Sequence, residues 1–341
     1  MESEYFPSRH WRLLTDGRVQ CNVCPRACTL REGQHGLCFV RMNHVGTLAL
    51  TTYGRSTGFA VDPIEKKPLN HFLPGSSILS FGTAGCNLTC KFCQNWHMSK
   101  ARQMDRLMAR ASPIEISHMA ERSNCRSVAY TYNDPIIFME YAVDTAKACR
   151  GRGIFSVAVT AGYIHGGARK EFFGEMDAAN VDLKGFTEGF YKRLCSGRLQ
   201  VVLDTLRYLK HETSVWFELT TLLVPGFNDG NREIDAMTSW VVENLGPGVP
   251  MHFTAFHPDY QMRDIPSTPV VTLRRAREIA LANGVRYAYT GNVHDPEGQS
   301  TYCHHCGICL IGRDRYTITA WNLTDGGHCT NCKTACEGIW R

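Results

Sequence analysis

From about residue 76 to 295 the chain alternates short β-branched or aromatic runs with amphipathic stretches. The runs 77–82, 126–131, 154–160, 179–183, 214–224, 251–256 and 285–290 predict strands. Over 199–210, Val202, Leu206 and Leu209 fall on one helical face at i, i+4 and i+7. Over 272–283, Leu273, Ala276 and the pair Ile279-Ala280 do the same, and Asn283-Gly284 supplies a stop. A third helical stretch, 135–150, opens on Pro135, a residue suited to a first helical position. Strand, helix and strand repeated about six times predict an α/β fold with parallel strands and right-handed crossovers. Length does not separate an open doubly wound sheet from a closed or partial barrel. Both place their sites at the carboxyl ends of strands, and there the polar segments recur. A cysteine loop follows the first predicted strand, Tyr132-Asn133-Asp134-Pro135 the second and Thr160-Ala161-Gly162 the third. Asp182-Leu183-Lys184 ends the fourth, and His257-Pro258-Asp259 follows the sixth. Five strand ends converging on one rim outline a single site.

The flanks break this pattern. Residues 1–75 and 296–341 are rich in Cys and Gly and read as two small metal-stabilised segments around a core of 76–295, because such short pieces rarely hold together by core burial alone. The 341 residues are 43% apolar and 20% charged, an ordinary globular composition. The formal charge of +5 is scattered, which argues for neither nucleic acid nor a membrane surface. The chain starts Met-Glu-Ser-Glu-Tyr-Phe without a basic or apolar leader, and no run approaches the roughly 18 apolar residues that span a bilayer. Sixteen cysteines without an export signal favour a reducing compartment, so a cytoplasmic location is expected. Thirteen of them lie in three tight clusters, which read as metal sites. Cys125, Cys149 and Cys195 stand alone and are expected to pack as small hydrophobes.

Cys86, Cys90 and Cys93 are spaced C-x3-C-x2-C. Three soft ligands fall one short of the four that a cubane iron–sulfur cluster usually takes, which leaves one iron open. The alternative is a fragment of a zinc site completed by a distant residue. Cys303-x2-Cys306 and Cys329-x2-Cys332 are paired hooks, a zinc-ribbon pattern, with Cys309 and Cys336 surplus to four ligands. Between the hooks only Arg313 and Arg315 are basic, too few for a phosphate-tracking surface. Cys21, Cys24, Cys28 and Cys38 suit one metal centre. Spacing does not separate zinc from an auxiliary cluster there, since both accept four thiolates.

The stretch Gly85-Cys86 through Cys93-Gln94-Asn95-Trp96 resembles the cluster loop of the radical S-adenosylmethionine (SAM) superfamily, in its pyruvate formate-lyase activating-enzyme branch. More narrowly, the chain resembles the radical SAM enzymes of the AmmeMemoRadiSam system. That resemblance rests on Cys21 through Cys28, Glu65-Lys66-Lys67-Pro68-Leu69-Asn70-His71-Phe72, Thr131 through Pro135, His252 through Pro258, and Tyr302-Cys303-His304-His305-Cys306. It implies a partial (β/α)6 barrel in which Cys86, Cys90 and Cys93 hold a [4Fe–4S] cluster and the open iron chelates SAM. Phe92 is then placed near the adenine, with core packing as the alternative. Tyr132, Asn133 and Asp134 stand where the superfamily has a glycine-glycine-glutamate-proline motif that receives the SAM ammonium. Here both glycines are replaced and the acid is one methylene shorter. Asn-Asp-Pro also makes a good turn and helix start. Asp182 and Lys184 resemble the Asp-Leu-Lys of the activating enzymes, where the cation pairs with the SAM carboxylate; a plain ion pair is the other reading. His257 corresponds to a histidine that contacts the SAM ribose or carboxylate. Thr160 corresponds to part of an Asp-Thr-Asn-Gly segment, but Val159 replaces its aspartate. Trp96 and His97 are candidates to line the substrate cavity.

The resemblance implies reductive cleavage of SAM and hydrogen abstraction from a protein or small molecule. An electron donor such as flavodoxin or ferredoxin is implied too, and Memo-like or AMMECR-like proteins are candidate partners. Two other readings are a glycyl-radical-enzyme activase proper and an iron–sulfur electron carrier that does not use SAM. A carrier needs no convergence of polar strand ends.

Overall fold

In the computed structural model, residues 5–101 and 109–341 are described. Residues 1–4, the start of the segment read above as lacking a leader, and 102–108 lie outside them. One sheet of eight strands organises the molecule: β1 (Phe59–Pro63), β2 (Ser77–Phe81), β3 (Ser127–Tyr130), β4 (Phe155–Thr160), β5 (Ala178–Asp182), β6 (Trp216–Leu223), β7 (Met251–Ala255) and β8 (Ala288–Gly291). Strands adjacent in sequence are adjacent in space. From β2 to β8 every pair is parallel, whereas β1 runs antiparallel to β2, with Phe59 opposite Phe81 and Pro63 opposite Ser77. Among the described residues β1 and β8 do not pair, so the barrel is partial. No described helix is long and apolar enough to cross a membrane.

The helices that connect the parallel strands include α1 (Pro113–Arg122), α2 (Met139–Arg150), α3 (Gly166–Phe173), α4 (Leu199–Glu212), α5 (Asn231–Leu245) and α6 (Val270–Ala282). Ser112 starts α1 with a capping box, its hydroxyl accepting from the Glu115 N–H while the Glu115 carboxylate accepts from the Ser112 N–H. On α4, Val202, Leu206 and Leu209 are buried as their spacing predicts. The stretch from Pro135 divides into a short 3-10 turn, Pro135–Phe138, and then α2.

Each parallel strand buries both faces, but the two faces differ. Outward positions such as Phe81, Val128, Val181, Leu219 and Phe253 join the main core under the helices. The floor of the barrel is a smaller apolar plug in which Ile64, Leu69, Phe72 and Leu73 meet Ile78, Ala129, Val157 and Ala178. Above the plug the alternate inward positions are polar: Asn180 and Asp182, Glu218 and Thr220, His252 and Thr254. The plug is fixed by this polar layer. Glu218 accepts from the Asn70 N–H (3.0 Å), the His71 N–H (2.7 Å) and His252 Nε2 (2.7 Å), and Asn180 Nδ2 donates to the Pro68 carbonyl (2.8 Å).

The flanking segments form small antiparallel sheets. Trp11–Leu13, Val19–Cys21 and Thr29–Leu30 make one, and Phe6–Pro7, Arg41–His44 and Thr47–Leu50 another. Val19, Leu30, Val40 and Leu48 join the main core, and the buried Arg41 pairs with Glu140 of α2 at 2.6 Å. The third, Thr301–Tyr302 with Cys309–Asp314 and Thr317–Trp321, has its own apolar cluster.

Candidate active site and metal centres

The loop after β2 is shaped by two glycines. A Cβ on Gly82 would fall 2.3 Å from the Thr131 carbonyl oxygen. One on Gly85, whose φ is +83°, would fall 1.9 Å from that of Cys38. Between them Asn133 ties the loop down: its Oδ1 accepts from the Thr83 N–H (3.1 Å) and its Nδ2 donates to the Gly85 carbonyl (2.9 Å). The next turn is held from the other side, where the Thr89 and Lys91 N–H groups donate to the carbonyls of Cys195 (3.0 Å) and Leu194 (2.9 Å).

Cys86, Cys90 and Cys93 thereby line one end of a cavity of about 310 Å³ at the carboxyl ends of the strands. Phe92, Tyr132, Asn133, Asp134, Thr160, Asp182 and Lys184 line the same cavity, so seven of the eight residues expected to face SAM converge on one space. His257 is the exception. It is exposed at the rim, with Nδ1 2.9 Å from Gln94 Nε2, next to the last cysteine of the loop. Trp96 also braces this rim, donating to Asp259 Oδ1 (3.0 Å) and stacking on Tyr260 at 5.6 Å.

Asp134 is buried and works inward. Oδ1 accepts from the Thr160 hydroxyl (2.9 Å) and the Ile136 N–H (3.1 Å), and Oδ2 from the Ala161 N–H (3.0 Å). It therefore caps the Pro135 turn and couples the ends of β3 and β4. Burial raises its pKa against the pull of these donors. Tyr132 takes a φ of +70°, its hydroxyl reaching Asp62 (3.3 Å). Asp182 and Lys184 point to one side, as residues two apart on a strand must, and pair at 2.8 Å. Burial alone would lower the Lys184 pKa, but Asp182, with Cys90 and Cys195, raises it well above its usual value. Lys184 is thus a fixed cation in the cavity wall.

Sequence reasoning missed Lys66, Thr220, Thr254 and Asn292, which line the same cavity. Thr220 and Thr254 were detectable as polar residues at alternate positions in otherwise apolar strands. Cys195 packs in the main core with Cys125 and Cys149, as expected of the lone cysteines, and its thiol, with Lys184 and Lys100, lowers the Cys90 pKa against burial.

In the C-terminal sheet the thiols of Cys303, Cys306, Cys329 and Cys332 all lie within 4.8 Å of one another. Cys303 is 3.5 Å from Cys332 and Cys306 is 3.7 Å from Cys329. A tetrahedral ion with about 2.3 Å metal–sulfur bonds needs thiolates about 3.8 Å apart, so the four suit one ion with almost no movement. Cys309 and Cys336 stay outside the group, and Cys336 packs 4.0 Å from His71 Nδ1. At the N-terminal side, Cys21, Cys24, Cys28 and Cys38 all line one cavity.

Three comparisons with known proteins bear on this arrangement. The family described as the Radical SAM superfamily matches residues 81–237, from the end of β2 into α5. The uncharacterized protein MJ0808 of Methanocaldococcus jannaschii is 39% identical over 326 residues, 96% of each chain. The pyruvate formate-lyase-activating enzyme of Clostridium pasteurianum is 22% identical over 53% of this chain and 80% of its own. Among solved structures, a radical SAM methyltransferase from Sphaerobacter thermophilus shares the fold with a TM-score of 0.52 and 13% identity, covering 84% of this chain and 77% of that one. With the partial barrel and the cysteine loop at its mouth, residues 81–237 carry a radical SAM domain, and the chain belongs to one family with the Methanocaldococcus protein.

Proposed function

We propose that Cys86, Cys90 and Cys93 hold a [4Fe–4S] cluster with SAM on its open iron. We infer further that the enzyme abstracts hydrogen from a protein or small-molecule substrate as the radical SAM member of the AmmeMemoRadiSam system. When bound, the cluster and SAM supply one-electron cleavage of the sulfonium to methionine and a 5′-deoxyadenosyl radical. The donor set fits the group. Three thiols face one cavity of about 310 Å³, roomy enough for a group larger than a single ion. A cubane spreads its thiolates over separate irons and here lacks a fourth.

The observation that carries the reading is the convergence of the three thiols with seven polar or aromatic residues from four strand ends on one cavity. Lys184, held charged by Asp182, offers a cation to a carboxylate. Phe92, 5.9 Å from Phe190, offers a flat apolar wall for a base. Asp134 and Asn133 keep the thiol loop and the wall in register. The wider reading includes zinc on the C-terminal four thiols, flavodoxin or ferredoxin as electron donor, a Memo-like or AMMECR-like partner, and a cytoplasmic setting without membrane or nucleic-acid contacts.

Anaerobic reconstitution with iron and sulfide, then dithionite and SAM, should yield 5′-deoxyadenosine. Changing Cys86, Cys90 or Cys93 to Ala should abolish it, and product that survives those changes would sink the assignment. Labelled SAM with candidate partner proteins, followed by mass spectrometry, would show which molecule loses hydrogen.

A further inference from the structure

We propose that the substrate is a small organic anion, carrying a carboxylate or a phosphate, that binds in a recess on the open side of the barrel. Its charged end meets Arg315 and its carbon skeleton faces the thiol cavity. The recess, of about 390 Å³, is lined from both unpaired edges of the sheet, by Thr290 and Gly291 of β8 and by Glu65 and Lys66 just beyond β1. The hairpin tip Arg315-Tyr316 of the C-terminal sheet completes its wall. Lys66, Pro68, Thr254 and Asn292 line the recess and the thiol cavity alike, so the two spaces adjoin at a neck. With SAM beside the thiols in the cavity of about 310 Å³, the recess is the adjoining space left for a second molecule. Its volume falls within the roughly 300–1,000 Å³ of small-molecule sites. The role of the bound anion as substrate rests on the function proposed above; the anion site itself does not.

Charge selects the class of ligand. In the wall of the recess Lys66, Arg313 and Arg315 are cations, and Glu65 is the acid. Glu65 and Arg313 are both buried and lie 3.8 Å apart, Oε1 to Nε, so they offset each other. Lys66 pairs with Asp62 at 2.7 Å, but that carboxylate also holds the buried Lys67 at 2.6 Å, which leaves one positive charge in excess at the neck. His294 keeps to Asp314 (3.0 Å), and the Glu218 charge behind His252 is taken up by three donors. Arg315 is different. Its backbone N–H donates to Gln299 Oε1 (3.2 Å), but its guanidinium has neither hydrogen bond nor ion pair among the described residues. A wall with uncancelled positive charge draws anions toward it.

The hairpin supplies the second ground. Asp314 pairs with Thr317, so Arg315 and Tyr316 form a two-residue turn, and Arg315 takes a φ of +55°. Gly or Asn sits at such a position with least strain. An arginine held there, exposed at the mouth of a cavity with its fork free, suits a planar or multidentate acceptor, which a carboxylate or a phosphate offers. Arg313, two residues earlier, donates to Thr301 Oγ1 (2.8 Å) and to the Asn70 carbonyl (2.7 Å), which ties the tip to the barrel floor. Two arginines are too few to track a phosphate polymer, but they are enough to place and hold one small anion.

The test uses the full chain, reconstituted anaerobically and left unreduced, with saturating S-adenosylhomocysteine present to occupy the thiol cavity. Malonate and inorganic phosphate are the probes, titrated separately by calorimetry. At least one should bind saturably; malonate alone supports a carboxylate substrate, and phosphate alone a phosphate ester. Arg315→Glu should weaken that binding by about tenfold or more, the loss of one charge-assisted hydrogen bond, with Arg315→Lys falling between. Lys170→Glu, the same charge change on the exposed side of α3, should leave it unchanged. Binding of neither probe, or binding that Arg315→Glu leaves intact, would overturn the proposal. So would an equal loss in Lys170→Glu, which would mark diffuse charge instead of a site. No SAM is cleaved in these titrations. A chain that binds a probe through Arg315 yet releases no 5′-deoxyadenosine on reduction overturns the proposed function alone. One that cleaves SAM and binds neither probe overturns the anion site alone.

Discussion

Asp134 shows how one carboxylate holds two strand ends at a fixed separation. Replacing it with Ala would strand the Ala161 and Ile136 N–H groups and the Thr160 hydroxyl in a dry interior. Asp134→Ala should therefore lower stability by about 1–3 kcal/mol, read as an earlier urea midpoint, and reduce iron retention at Cys86–Cys93. An unchanged midpoint would mean that water or another acceptor takes its place. His71 is a second residue whose environment dictates its behaviour. Its Nδ1–H donates to the Glu337 carbonyl (2.6 Å) and its Nε2 accepts from the Tyr289 hydroxyl (2.6 Å), so the neutral ring is the one that fits. Burial lowers its pKa to about 4. Between about pH 6.5 and 4 the unfolded chain then binds the extra proton, and stability falls as pH falls. The loss should approach roughly 3 kcal/mol at the acid end of that window, measured by urea unfolding at pH 7.5, 6 and 5. A flat profile would argue against a neutral His71. Both residues stood out in the sequence, Asp134 as a strand-end acid and His71 within the Glu65–Phe72 motif. Their partners did not, because Thr160, Ala161, Tyr289 and Glu337 are brought near only by the fold.

At the scale of elements, the seven parallel strands were legible because each is a short apolar run. The predicted strand 285–290 forms over Ala288–Gly291, three residues late, since the chain leaves α6 through Asn283-Gly284 and reaches the sheet only at Ala288. β1 was not legible at all. It is an edge strand whose Ala60 and Val61 are exposed and which ends on Pro63, so neither alternation nor an apolar run marks it. The inward polar layer was legible only as polar residues at alternate positions, Glu218 with Thr220 and His252 with Thr254, in otherwise apolar strands. Gly85 carries the element-scale prediction. Gly85→Ala would need both a positive φ and a Cβ inside the Cys38 carbonyl. It should cost several-fold in bound iron at Cys86–Cys93 and lower the melting temperature by roughly 3 °C, as a loss of about 2 kcal/mol would. Full iron loading in that variant would show the contact to be compliant.

Across the whole molecule, the C-terminal sheet acts as a clamp on the barrel floor. The Ile339 N–H donates to the His71 carbonyl and the Leu73 N–H to the Ile339 carbonyl, each at 2.7 Å, and Arg313 donates to the Asn70 carbonyl at 2.7 Å. Those residues belong to the same plug that Glu218 anchors from within. Removing the ion proposed for Cys303, Cys306, Cys329 and Cys332 with a strong chelator should therefore loosen more than the sheet that holds it. Hydrogen exchange should quicken in 301–323 and, with it, at 69–73. Protection that persists at 69–73 would show the floor to stand without the clamp. None of this was visible in the paired C-x2-C hooks, which announce an ion but not what it presses on.

The missing ladder between β1 and β8 has a consequence for adaptability. A closed eight-stranded barrel fills its bore with side chains, and its width is dictated by strand number and stagger. Here two edges are free of each other, so the girth of the chamber is governed by the loops and side chains that bridge the gap. Guests of different bulk can then be accommodated by redrawing that seam, with every hydrogen-bonded rung from β1 to β8 left in place.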